Sequence, residues 1–268
     1  MKKIINVLEL FKGTGSIEKS LKQIEKDNDN YEFNIISLDI DKRFNPTYTC
    51  NILDFNYKQY PKDYFTFIWG SPPCDKFSQL RNCWIGRTFK DGRYVTKELI
   101  EDEINTIGLP PLYKTQEIIN YFKPKYYFIE NPSTSKMKNY IDDNFLYDIN
   151  KYIVSYCKYG FDYRKNTAIW TNLKSFIPKK CNNDCNSMMK IDNKLLHVKL
   201  LGNGYEEIDG KLELCNTKEK RDKLRNNKKK NNKGQLELVG SGTNKDQRYR
   251  IPQPLLIELF NLSIKELE

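Results

Sequence analysis

The residue with the most chemistry in it is Cys74, which two prolines hold in GSPPCD directly behind the apolar run YFTFIWG (64–70). A thiol presented so rigidly at a strand end can act as a nucleophile once ionised, although a buried, inert cysteine reads the same way. Glu130 and Asn131 close a second apolar run, KYYFIE (125–130). A carboxyl group beside a thiolate suits nucleophile-plus-acid chemistry on a heterocycle. Gly13 and Gly15 in FKGTGS let backbone approach a ligand, because glycine tolerates positive φ and has no Cβ. A plain tight turn would carry the same two glycines. Asp39 ends FNIISLDID at the distance downstream where a nucleoside-binding fold keeps its ribose carboxylate.

These groups are scattered, and only a particular scaffold unites them. IINVLEL (4–10) reads as a strand, the glycines as a turn, and Ser16 to about Glu25 as a helix, which makes a βαβ unit with the next strand. In an open parallel sheet, ligands bind beyond the carboxyl ends of the strands. Glu9 to Gly15, Asp39, Cys74 and Glu130 should therefore converge on one edge of an α/β, Rossmann-like, mostly parallel seven-stranded sheet with helices on both faces. YKTQEIINYF (113–122) has helical periodicity, whereas 76–111 has little and is expected to be a mobile loop over the site. Alternation fades after Thr171, and a helical pattern returns only in PQPLLIELFNLSIKEL, from Pro252. The expected division is a catalytic core (1–172), a small accessory lobe with a basic loop (173–246) and a C-terminal helix returning to the core (247–268).

Composition bounds the rest. With 268 residues, 38% hydrophobic and 13% aromatic, the chain has enough bulk for a core, so disorder throughout is excluded. No apolar run approaches the roughly 18 residues of a membrane span, and MKKIINVLELF places Glu9 where a signal peptide needs uninterrupted apolar residues. An unexported protein with no membrane partner is expected, residing wherever its polymer substrate resides. Seven cysteines, odd in number and widely scattered, point to reduced thiols. Much of the net charge of +10 sits between Lys218 and Lys233, where nine Lys/Arg face two acids. That run, including Lys228, Lys229 and Lys230, is either a solvated loop or an arm that contacts phosphates and releases their counterions.

Taken in order, VLELFKGTGS, SLDID, GSPPCDKFS and FIENP resemble the cytosine-5 DNA methyltransferases, particularly the compact phage and viral type. YCKYGFDYRKNTAIWTN and QRYRIPQPLLIEL are similar to that family's closing motifs. The resemblance implies methyl transfer from S-adenosylmethionine, leaving S-adenosylhomocysteine, to carbon 5 of a cytosine flipped out of double-stranded DNA. Carbon 5 is a poor nucleophile until a thiolate adds to carbon 6, a role that falls to Cys74. Glu130 would protonate or hydrogen-bond ring nitrogen 3, and Asn131 would hold the loop. For the cofactor, the resemblance implies Phe11, Gly13, Thr14, Gly15 and Pro73, with Asp39 on the ribose hydroxyls, Ile40 on the adenine face and Asn51 near the adenine amino group. Ser78, Arg81, Trp84 and Arg87 would act on the polymer from the loop after Cys74.

Two departures stand out. Aligned on Ile169-Trp170, the family's two alternating arginines are replaced by Asn166 and Ala168, so Arg164 or Lys165 is expected to substitute with altered geometry, Arg164 as the catalytic choice and Lys165 otherwise on the nucleic acid. The last helix begins Arg250-Ile251-Pro252 in place of the usual Gly-Asn, and is still expected to cover the cofactor pocket. In the lobe, Cys181, Cys185 and His197, with a fourth ligand from Cys157 or Cys215, would allow a structural zinc site; two buried cysteines and a histidine are the plain alternative. RNA remains open as substrate, as does a silent nucleic-acid-binding protein, and a monomer is expected. Ser71-Pro72-Pro73 also resembles the start of the amino-methyltransferase motif, but Cys74 replaces the aromatic residue that stacks on the base there.

Overall fold

The computed structural model describes residues 2–89, 91–191, 194–197, 205–208, 211–214 and 248–268. Strands β1 (Lys3–Leu10), β2 (Tyr31–Asp39), β3 (Tyr48–Thr49), β4 (Phe67–Gly70), β5 (Tyr126–Pro132), β6 (Asn150–Ser155) and β7 (Asn166–Thr171) form one sheet in the order β3-β2-β1-β4-β5-β7-β6. Strand β7 alone runs antiparallel to its neighbours, β5 and β6. Its amino end therefore lies at the same edge as the carboxyl ends of the other strands, which decides what reaches the site.

Strand β1 is apolar on both faces, as a central parallel strand must be. Leu8 and Leu10 enter one core cluster with Ile68, Ile129 and Leu112, while Ile5 and Val7 enter the other with Phe67, Trp69 and Phe128. Helix α1 (Ser16–Asp27) buries Ile17, Ser20, Leu21 and Ile24, one stripe at helical spacing, against the second cluster. The C-terminal helix, numbered α4 here (Gln253–Lys265), buries Leu255, Leu256, Leu259 and Phe260 in the same cluster and packs on α1.

The segment 76–111 is not the featureless loop expected from its sequence. It holds a 3-10 turn (Gln79–Trp84), helix α2 (Lys97–Glu103) and a π-helical turn (Ile104–Gly108) that runs directly into helix α3 (Leu109–Phe122). Pro110 and Pro111 disguise the start of α3, yet they occupy its first turn, where backbone N–H groups need no helical partner. Helix α2 is short and acidic, and Glu103 is buried because Arg81, Arg93 and Lys76 all reach its carboxylate. Beyond β7, two antiparallel hairpins are described, β8 (Met188–Ile191) with β9 (Lys194–His197) and β10 (Tyr205–Ile208) with β11 (Lys211–Leu214). Lys228, Lys229, Lys230 and Cys215 lie outside the described residues. No helix among the described residues is long and apolar enough to cross a membrane.

Phe260 joins α4 to the sheet, its ring centroid 5.7 Å from those of Phe67 and Phe128 and 6.2 Å from that of Trp69. Phe260→Ala should cost about 3–5 kcal/mol through lost burial and a residual cavity, read as a lower urea midpoint with an unchanged m-value.

Candidate active site

At the carboxyl edge the chain leaves β1 through a strained turn. Phe11, Gly13 and Gly15 all have positive φ, at 63°, 49° and 70°. The two glycines reach that region without strain, whereas Phe11 must be held there by its surroundings. Asp39 is one restraint: Oδ2 accepts the Gly13 N–H at 2.8 Å and Oδ1 accepts that of Asp41 at 2.8 Å. Lys12 N–H donates to the Leu38 carbonyl, and Ser16 Oγ accepts the Ile251 N–H at 3.2 Å. The Arg250-Ile251-Pro252 segment thus meets the first residue of α1, immediately behind the glycine turn.

The residues assigned to S-adenosylmethionine fit a nucleoside with an attached amino acid. Ile40 exposes 71% of its surface at the strand end, an apolar face beside the half-buried Asp39 carboxylate. Asn51 caps the turn Ile52–Asp54, its Oδ1 accepting the Leu53 N–H at 3.1 Å, so one lone pair of that oxygen is already engaged. Thr14 offers its carbonyl to Lys19 Nζ, and Pro73 is exposed beside Cys74. Glu9 is the residue that sequence reasoning placed at this edge without giving it a role. It is 1% exposed, its Oε2 has no hydrogen-bond partner, and burial pushes its carboxyl up to about 8, with Lys12 opposing. The other buried side-chain atoms without partners, among the described residues, are Asn131 Oδ1 and Thr167 Oγ1, at this same edge. Polar atoms left so exposed to desolvation call for a ligand.

Cys74 is half-buried in the Ser71-Pro72-Pro73 turn, and Asn131 fastens that turn by donating from Nδ2 to the Pro72 carbonyl at 2.9 Å. Glu130 is 7% exposed; its Oε1 accepts the Tyr156 hydroxyl at 3.1 Å and lies 3.5 Å from Lys165 Nζ. The Lys165 ammonium also sits 4.8 Å from the centre of the Tyr156 ring and donates to the Arg248 carbonyl. Burial raises the Cys74 thiol above its ordinary value, Glu130 raises it further, and Lys165 pulls it down. The three groups share one field, so moving charge on any of them alters the others.

Several expected roles change places. Arg164 does not meet Glu130: its guanidinium turns away toward Asn183 Oδ1, at 3.5 Å, in the accessory segment. Lys165, expected on nucleic acid, is the cation in the site. Adjacent residues of an extended chain point to opposite sides, which is why one could not be told from the other by sequence. Arg81 is likewise committed inward, its guanidinium bonded to Glu103 and to the Lys76 carbonyl, and is not free for a phosphate. Arg87 lies over the exposed Trp84 ring, 5.7 Å from its centre, and Ser78 begins the turn that carries Arg81. Asn166 accepts the Ser155 hydroxyl at 2.7 Å, and Ala168 is fully buried opposite Asn131.

Glu9 carries a pH signature. Its carboxyl stays protonated in the folded protein up to about pH 8, while an unfolded chain releases that proton near 4.5. The folded state thus binds the extra proton between those values, so its contribution to stability falls as pH rises across that window and levels off above it. Glu9→Gln should remove this component, making the stability difference between variant and wild type grow from pH 5 to pH 8, as measured by urea unfolding at several pH values.

The geometry finds its counterpart in known proteins. A family model described as C-5 cytosine-specific DNA methylase matches residues 5–164. The chain is similar to a "Probable DNA (cytosine-5)-methyltransferase" of Frog virus 3 (isolate Goorha), 35% identical over 179 residues that make up 66% of this chain and 75% of the viral protein. Among solved structures, the Entamoeba histolytica methyltransferase EhMeth shares the fold with a TM-score of 0.57 over 100% of both chains, at 17% identity. With the family model spanning more than half of its length, the chain belongs to the C-5 cytosine-specific DNA methylases, S-adenosylmethionine-dependent methyltransferases of Rossmann-like fold.

Proposed function

We propose that this enzyme methylates carbon 5 of cytosine in duplex DNA through a covalent Cys74 adduct, with Glu130 and Lys165 managing the charge. The observation that carries the reading is the Glu130–Lys165 ion pair, 3.5 Å apart at the sheet edge where the half-buried Cys74 ends its turn, with Asn131 of the same strand fastening that turn through the Pro72 carbonyl. S-adenosylmethionine supplies an electrophilic methyl group on a sulfonium, held by the turn from Phe11 to Gly15, by Asp39 and by the open face of Ile40. Cys74 adds as thiolate to carbon 6, and negative charge flows into the ring toward nitrogen 3. Glu130, in its protonated form, would give that nitrogen a proton and take it back when the adduct collapses. Carbon 5, now part of an enamine, takes the methyl group; a base then removes the carbon 5 proton and β-elimination returns the Cys74 thiolate.

Lys165 supports two of these steps. Its charge favours the thiolate before attack, and it offers a donor to the polarised ring in the part of the site where an arginine is otherwise used. Tyr156 holds the Glu130 carboxyl in place. The target base must leave the duplex to reach the edge of the sheet, at a cost of a few kcal/mol. By elimination, the choice of which cytosine enters is assigned to residues 173–246, which carry the basic run.

Incubation with S-adenosylmethionine and mixed-sequence duplex DNA, followed by nucleoside mass spectrometry, should give 5-methylcytosine from the wild type and none from Cys74→Ser. Glu130→Gln should lose about 10²–10⁴-fold in rate and Lys165→Met about 10²-fold. A methylated amino group that survives Cys74→Ser would overturn the covalent mechanism, and product on RNA alone would overturn the substrate. Peptide-resolved alkylation of Cys74 gives an independent check on the charges. Its pH profile should move upward in Lys165→Met, which removes the cation, and downward in Glu130→Gln, which removes the acid.

A further inference from the structure

Behind the carboxyl end of β6, four side chains from three separate segments meet in the interior. Cys157 lies in the 3-10 turn Tyr156–Tyr159 that follows β6, Cys181 and Cys185 lie in the loop before β8, and His197 ends β9. All four are buried, and their ligand atoms lie within 4.8 Å of one another. Cys181 Sγ and His197 Nε2 are 3.5 Å apart. Bonds of about 2.3 Å to sulfur and about 2.0–2.1 Å to nitrogen at tetrahedral angles require S···N edges of about 3.6 Å. Inert core cysteines have no reason to gather in threes around the chain's single histidine.

We infer that Cys157, Cys181, Cys185 and His197 bind one structural zinc ion, which clamps the β8–β9 hairpin to the end of β6. Three thiolates and a neutral imidazole form a closed donor set that suits zinc and leaves no open position for substrate. The surroundings suit the net charge of −1 that results. Asn183 takes a φ of 63° in the turn between the two cysteines, and Lys158 Nζ donates to the Asp184 carbonyl of that turn at 3.2 Å. Lys158 and Arg164 bring positive charge to the cysteines and the histidine respectively. Arg164 thereby finds an occupation outside catalysis.

The clamp fixes more than the hairpin. Cys157 follows Tyr156, whose hydroxyl holds Glu130, and the same junction is laced by backbone: Ser155 N–H donates to the Lys179 carbonyl and Cys181 N–H to Ser155 Oγ, both at 3.0 Å. The metal thus sits between the accessory segment and the strand end that positions the catalytic carboxyl. That link to Glu130 rests on the proposed mechanism, whereas metal binding itself does not.

The full chain, purified without chelator or histidine tag, should carry one zinc per molecule by elemental mass spectrometry. Replacement by cobalt(II) should give the intense visible bands of a tetrahedral site together with thiolate-to-metal charge transfer. Cys157→Ser and Cys181→Ser should lose the metal; because either variant may fail to fold, His197→Cys should retain it where His197→Ala binds at least tenfold more weakly. Cys215→Ser should leave the stoichiometry unchanged. Absence of stoichiometric zinc together with no cobalt spectrum, or a mass 2 Da low from a disulfide among these cysteines, would overturn the site. Loss of zinc in Cys215→Ser but not in Cys157→Ser would overturn the assignment of the fourth ligand. Failure of DNA methylation with one zinc still bound would leave the metal site standing and count against the catalytic reading alone.

Discussion

A lysine and a glutamate meet nearly out of water at the edge of this sheet, and both positions depend on one strand running backwards. Glu130 arrives on the carboxyl half of β5, as in any parallel sheet. Lys165 arrives because β7 is antiparallel, so the residue before that strand begins at the edge where the others end. Such a pair gains little net stability, since desolvation offsets most of the attraction, but removing one member strands the other charge. In the proposed mechanism its value is functional: it sets the field in which Cys74 would ionise.

The cofactor end of the edge shows a second use of unfavourable groups. A left-handed phenylalanine, a protonated buried glutamate and an isoleucine in solvent each cost free energy. The Asp39 carboxylate and the backbone of the glycine turn hold them against relaxation. Packing on both faces of β1, with α1 and α4 on one side and α3 on the other, supplies the rigidity. The strain and the unpartnered atoms therefore mark where a ligand makes up the difference.

Between these ends, the segment after Cys74 is stiffer than a substrate-facing loop need be. Glu103 gathers Arg81, Arg93 and Lys76, and burial, which alone would raise its carboxyl, is outweighed by those cations so that it stays below its ordinary value. Charges that look available for phosphate contacts are thereby spent on holding the loop, while Trp84 and Arg87 remain outside. On this side the Trp84 ring and the Arg87 guanidinium are among the groups the loop leaves facing solvent.

The sequence by itself determined strands β1, β2, β4 and β5, the glycine turn and the convergence of Phe11 to Gly15, Asp39, Cys74 and Glu130, because continuous apolar runs and breaks at glycine and proline are local signals. Helix α2 escaped notice since its short acidic pattern makes sense only once Glu103 meets its three cations. The choice of Lys165 over Arg164, and the arrival of Cys157 beside Cys181, Cys185 and His197, were decided by the tertiary structure. The first depends on which side of the chain entering β7 turns inward, fixed by the reversal of that strand, and the second on how the segment after β7 folds back onto the turn that ends β6, neither of which the identity of the residues decides.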